Sequence, residues 1–258
     1  MCGRYNITDD PATRALMDLL GIPFHLTDRY NVAPTEPVPV VFNEQYSEST
    51  LRAAGVASNS QRQIRDMRWW LTPSWAPELS TKYSMFNARA ETLETSRAFK
   101  GPFRHHRGIM PAQSFIEWKS SEGGAKKTPY LIKPDSGRIA FAAIWDTWEK
   151  PEAYIESCSL ITTAAVPELA WLHHRMPVML ADDELDTWLD MQTPVTELRA
   201  MLLPRLLGEW SAQPLDLAVN NARHKQKDLF NSEENGSEGA IKNEGGVIRL
   251  RHQNQKEI

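Results

Sequence analysis

The chain has 258 residues, 41% hydrophobic and 24% charged, a balance that suits a globular protein with a sizeable core and excludes a fibrous or wholly disordered one. No apolar run approaches the roughly 20 residues of a membrane span, and no basic-then-apolar leader opens the chain, so an intracellular location is expected. The formal net charge of −4 does not announce a nucleic-acid binder.

Cysteine stands second, in Met1, Cys2, Gly3, Arg4, Tyr5. A small second residue normally lets the initiator Met1 be trimmed. Cys2 would then carry an α-amine and a thiol with reference pKa values of roughly 7.7–8.0 and 8.5. Such a 1,2-aminothiol attacks an aldehyde through nitrogen and closes a thiazolidine through sulfur. Cys2 reads equally as a small buried residue. The other cysteine, Cys158, lies in a strand-like run and reads as packing, so there is neither a disulfide framework nor a CxxC zinc pair.

Asp10 and Pro11, followed by Ala15, Leu16, Leu19, Leu20 and Gly21, predict a helix with an Asp N-cap, a Pro at N1 and a Gly stop. Short β-rich runs follow at 38–42, 51–56, 64–70, 108–110, 114–118, 130–132, 139–144, 154–163 and 178–180. Segment 120–128 looks like a hairpin tip. Helices are expected at 182–191, with Leu185, Trp188 and Leu189 on one face, and at about 194–203. Many short strands with few helices define an α+β fold: an antiparallel, barrel-like β core with a few flanking helices. The domain is expected to span 1–230, and the polar stretch 231–258, with five Glu against four Lys and Arg, to be a disordered tail.

Two local charge tracks depart from the overall acidity. Arg52, Arg62, Arg65 and Arg68 face only Asp66, and Arg97, Lys100, Arg104 and Arg107 meet no acid over 97–107. Such clusters read first as solvated faces, yet a single-strand groove needs only a local positive track.

Four stretches besides Cys2 carry candidate chemistry. Segment 29–34 (RYNVAP) is polar and turn-like. Segment 85–92 (MFNARAET) sets Asn87, Arg89 and Glu91 at alternate positions, on one side if extended. Glu117 lies inside an apolar, aromatic strand, where a carboxyl with a raised pKa suits a general acid; a strand-edge or Arg-paired Glu is the plainer reading. His173 and His174 precede Arg175 and Pro177, and their adjacency has the wrong spacing for a helical metal site, so no metal is expected.

Taken together in this order, MCGR at 1–4, RYNVAP at 29–34, Trp69 with Pro73 and Trp75, NARAET at 87–92, Thr95 to Arg97, Phe115 to Trp118, and His173 with Arg175 and Pro177 resemble the SOS-response-associated peptidase (SRAP) family. Ala218 to Asn221 adds a weaker match. The resemblance implies covalent capture of abasic sites in single-stranded DNA through a thiazolidine on Cys2, with no cofactor and the protein as a monomer. It implies that Asn87 hydrogen-bonds near the amine or sugar, that Glu117 is the acid/base of ring opening and reversal, and that His173 is a second acid/base for the Schiff-base stage or β-elimination. Arg4, Arg89, Arg97 and Arg175 would hold phosphates, with Asn31 and Pro34 near the lesion and Trp69 or Trp75 stacking. A bacterial member would be cytoplasmic, a eukaryotic one nuclear. The chain departs from the family pattern at Trp70, where Gly is usual, and at His174, where Asp often stands. Two other readings are an N-terminal-nucleophile cysteine peptidase or hydrolase and a non-catalytic single-strand binding module.

Overall fold

The computed structural model describes residues 2–23, 26–45, 60–121, 127–151, 153–230 and 247–250. The expected strand at 51–56, and Arg52, lie outside these residues. In chain order the strands are β1 (Tyr5–Ile7), β2 (Arg29–Val32), β3 (Pro37–Gln45), β4 (Ser60–Arg68), β5 (Asn87–Arg89), β6 (Arg107–Ala112), β7 (Ser114–Ser120), β8 (Lys127–Pro134), β9 (Ile139–Lys150), β10 (Ala153–Ala164), β11 (Arg175–Pro177), β12 (Trp210–Pro214) and β13 (Ile248–Leu250). The α-helices are α1 (Pro11–Leu19), α2 (Lys100–His105), α3 (Pro167–Ala170), α4 (Leu185–Leu189) and α5 (Val195–Met201).

Helix α1 begins as its sequence predicts. The Asp10 carboxylate accepts from the Thr13 N–H at 2.9 Å, Pro11 opens the first turn, and Gly21 takes φ +64° beyond the end. The expected helix at 182–191 is a 3-10 turn, Asp182–Glu184, running into the short α4, which buries Leu185, Trp188 and Leu189 as the sequence pattern requires.

Five strands close into a barrel in the order β10, β4, β3, β6, β9 and back to β10. Closure removes the free edges that an open sheet of these strands would present. The pairs are antiparallel except for one parallel contact, Ser157 opposite Arg68, so the barrel is mixed. Gly108 permits the tight β6–β3 approach, because a Cβ there would lie 2.6 Å from Val40 Cγ1. The second sheet is antiparallel, in the order β13, β12, β8, β7, β1, β2. A single core cluster spans both sheets, from Tyr5 and Phe115 to Phe141 and Trp210.

Several boundaries differ from expectation. β9 runs on to Lys150 because 145–150 alternates inward and outward residues. The strand expected at 178–180 lies instead at Arg175–Pro177 on β10, and 178–180 crosses to β9, where Met179 bridges Phe141. Within 231–258, Ile248–Leu250 pair with β12 as β13, and Arg249 forms an ion pair with Asp135 at 2.6 Å. No α-helix among the described residues is long and apolar enough to cross a membrane.

Candidate active site

Cys2 lies just ahead of β1, which runs between β2 and β7 in the second sheet. The Arg4 carbonyl next to it accepts the Ile116 N–H of β7 at 2.9 Å and the Cys2 thiol at 3.7 Å. From the barrel side, Asn87 Nδ2 donates to the Cys2 carbonyl oxygen at 2.8 Å. Asn87 is held there because β5 runs parallel to β10, with Asn87 opposite Leu160. Cys2 is therefore pinned where the two sheets meet. It is fully buried, and burial first, then the Glu117 charge, pushes its thiol well above the ordinary range.

Glu117 lies on β7 one residue beyond Ile116, and is buried with one oxygen accepting the Trp118 N–H at 3.3 Å. His173 enters from the turn between α3 and β11. Its Nδ1 faces the Arg175 backbone, 3.0 Å from the N–H nitrogen and 3.4 Å from the carbonyl oxygen, so Arg175 engages Nδ1 in either tautomer. Burial lowers the His173 pKa, the Glu117 charge opposes that shift, and His174, stacked at 4.3 Å, adds to it. Four elements from across the chain thus bring Cys2, Asn87, Glu117 and His173 into one half-sealed site, with Glu117 electrostatically coupled to both Cys2 and His173. Among the described residues Asn87 Oδ1, buried beside Cys2, has no hydrogen-bond partner. A buried acceptor without a partner is a position where one further donor can be satisfied.

The residues expected to meet DNA divide sharply. Trp69 is fully buried, edge-on to Tyr5 at 5.5 Å, with its indole N–H on the Phe86 carbonyl at 2.8 Å; it is core, and base stacking is closed to it. Asn31 is also buried, at φ +51°, and its amide donates to the carbonyls of Val219, Asn221 and His224. It fastens the 29–34 segment to the C-terminal part of the domain rather than facing a lesion. Arg4 donates to Asn31 Oδ1 at 2.9 Å and to the Val219 carbonyl at 3.1 Å, with its guanidinium 5.7 Å from the Trp118 ring. Arg175 is locked bidentately on Glu91 at 2.6 and 3.0 Å and on the Thr162 carbonyl. Pro34 is half-buried, whereas Arg89 and Arg97 are exposed.

The charge tracks shrink in the same way. Arg65 pairs with Glu44 and Glu156, and Arg62 with Asp186. Arg107 is buried, donating to the carbonyls of Trp188, Phe103 and Asp190, and burial lowers its pKa to about 10. Lys100 and Arg104 of the second track stay exposed, and so does Arg97, its cation 4.0 Å from the exposed Trp75 ring; Lys82, outside both tracks, lies 5.8 Å from the exposed Tyr83 ring. Trp75, Lys82, Tyr83 and Arg97 line an open groove of about 510 Å³ together with Leu71, Pro73 and Met85. Tyr83 and Lys82 were not expected to take part; they lie outside the recognisable motifs, and only their exposure marks them. Trp70 packs on Phe86 at 5.3 Å, half-buried, so its bulk repacks the sheet rather than forming an exposed wedge.

A closed mixed barrel joined to an antiparallel sheet, with a buried Cys, Asn and Glu and a half-buried His at the junction, describes one class of protein. Residues 1–222 match the model of the SOS response associated peptidase (SRAP) family, and the chain belongs to that family. The abasic site processing protein YoaM of Bacillus subtilis is 30% identical over 238 residues, 90% of this chain and 99% of that protein. The abasic site processing protein HMCES of Gallus gallus is 30% identical over 222 residues, 76% of this chain and 63% of that protein. The fold is also that of a crystal structure of a Bacteroides thetaiotaomicron protein, with a TM-score of 0.65 at 22% identity over 83% of this chain and 92% of that one.

Proposed function

We propose that this protein processes abasic sites in single-stranded DNA by linking them covalently to Cys2, made N-terminal by removal of Met1. The names of its relatives, abasic site processing proteins, support the DNA-processing part of this reading. The observation that carries the chemistry is the pair of roles open to Asn87: its Nδ2 grips the Cys2 carbonyl, and its partnerless Oδ1 is free to accept a hydrogen from an amine at Cys2.

The steps balance without redox chemistry. The Cys2 amine adds to the aldehyde carbon of the ring-opened sugar, giving a carbinolamine. Loss of one water leaves an imine. The thiol then adds across C=N, its proton passing to nitrogen, and closes the thiazolidine. Opening the sugar and expelling water need a proton donor; freeing the amine and the thiol needs an acceptor. Glu117 fills the donor role at the sugar and takes the proton back when the link reverses. His173, with Nδ1 engaged by the Arg175 backbone, works through Nε2 at the imine stage or in β-elimination. Arg89, Arg97 and Trp75 meet the strand outside, through phosphate and stacking contacts that carry little sequence information.

Intact-mass measurement after incubation with an abasic single-stranded oligonucleotide tests this. The expected product has lost Met1 and gained the oligonucleotide mass less one water, and Cys2→Ala forms none. An equal yield of adduct from Cys2→Ala would overturn the thiazolidine. Turnover of an amide substrate with no DNA adduct would favour the hydrolase reading instead.

A further inference from the structure

The exposed Trp75 ring is carried by a tight turn at 73–76, closed by the Ala76 N–H on the Pro73 carbonyl at 2.8 Å. Two side chains of the barrel strand β9 hold this turn from opposite ends. Asp146 is buried, and its Oδ2 accepts the Ser74 N–H at 2.8 Å while Oδ1 accepts the Thr147 N–H at 2.9 Å. Trp148, also buried, donates its indole N–H to the Ala76 carbonyl at 2.8 Å. Residues 146 and 148 alternate on one side of β9, so a rigid barrel strand presents both to one turn. The backbone groups on either side of Trp75 are thus each tied to the barrel. Its ring is left outside, with Arg97 against it at 4.0 Å.

We propose that Asp146 and Trp148 are positioning residues for single-strand binding, fixing the 73–76 turn so that Trp75 and Arg97 form a preformed stacking platform at the mouth of the groove. The proposal rests on the DNA reading above. Neither residue touches DNA. Each acts by removing the loop freedom that binding would otherwise have to freeze out, the general advantage of preorganisation. The Asp146 carboxylate suits this task because both oxygens are acceptors. An amide there would turn one of them into a donor facing an N–H.

The test is a double-mutant cycle against Trp75, read as the affinity for an intact single-stranded oligonucleotide by fluorescence anisotropy, at a salt concentration low enough for Trp75→Ala to bind measurably. Trp148→Phe keeps an aromatic ring but deletes the indole N–H together with the second ring, and Asp146→Asn keeps the shape. Each is expected to weaken binding about three- to tenfold, the worth of one lost hydrogen bond, and to have no further effect once Trp75 is Ala. A purely structural role would cost the same in both backgrounds, and that additivity overturns the proposal. So does wild-type affinity in Trp148→Phe. Failure of the wild-type protein to bind any single strand is a separate result, seen before the variants are compared; it removes the DNA reading and this inference with it.

Discussion

Asn87 reaches across 85 residues of sequence to donate its side-chain N–H to the Cys2 carbonyl at 2.8 Å, joining the barrel to the segment that leads into the second sheet. One amide thereby holds the backbone of Cys2 with its donor, while its acceptor is left for the amine of the proposed reaction. Asn87→Ala deletes both functions and is expected to cut the rate of adduct formation by about ten- to a hundredfold, the loss of one to two well-placed hydrogen bonds. Asn87→Asp keeps an acceptor but sets a second carboxylate facing the Cys2 carbonyl oxygen in place of the donor, and should fall below Asn87→Ala. Single-turnover gel kinetics on an abasic oligonucleotide measure both. Equal rates for wild type and Asn87→Ala would remove Asn87 from the site.

Glu117 has two effects of opposite sign. Its charge helps raise the Cys2 thiol pKa, while its carboxyl is the proton donor of the proposed reaction. Glu117→Gln should therefore lower the thiol pKa and speed alkylation of Cys2 by iodoacetamide, yet slow cross-linking by about a hundredfold or more, the usual scale of a lost general acid. Peptide mass mapping separates Cys2 from Cys158, which is equally buried and raised by burial alone. Parallel loss of both reactivities would show that the substitution merely disorders the site.

Trp69 and Trp75 should separate stability from binding. Trp69→Ala empties a fully buried ring site and is expected to cost about 3–5 kcal/mol of stability. Trp75 is 48% exposed, and Trp75→Ala should change stability by no more than about 0.5 kcal/mol while weakening single-strand binding about tenfold. Urea denaturation and anisotropy measure the two quantities. A large stability loss in Trp75→Ala would contradict the platform geometry.

The members of the candidate site were more legible in the sequence than the surface. Cys2, Asn87, Glu117 and His173 come together in the sequence only through the ordered family resemblance, since Cys2, Glu117 and His173 alone read as readily as packing or surface residues, and the fold brings all four to one junction. Burial, by contrast, is decided by partners far along the chain. Arg175 reads as a free cation until Glu91, 84 residues away, is seen to clamp it. Arg107 looks like part of a positive track until its donors are traced to the carbonyls of Trp188 and Asp190. Trp69 and Trp75 are equally aromatic, and only the edge-on contact with Tyr5 places one of them inside. The parallel closure of the barrel was out of reach for a similar reason, because it rests on one residue pair, Ser157 and Arg68.

His173 supplies a pH dependence whose sign is fixed by burial. Its folded pKa lies below the ordinary histidine value of roughly 6.5, so the folded protein resists a proton that the unfolded chain accepts. Above pH 6.5 the ring is neutral in both states and costs nothing. As pH falls from there toward the folded pKa, stability declines, and below the folded pKa the decline from this group stops. The neutral ring is also the proton acceptor of the proposed chemistry, so the acidic limb of the cross-linking rate should lie below the ordinary histidine range. His174 stacks on this ring and pushes its pKa further down. His174→Asp replaces that positive influence with a carboxylate, and should move the acidic limb to higher pH while leaving the plateau rate within about twofold. A pH–rate profile of adduct formation for wild type, His174→Asp and His173→Gln checks this. A limb that stays in place in His174→Asp, or survives in His173→Gln, belongs to some group other than His173.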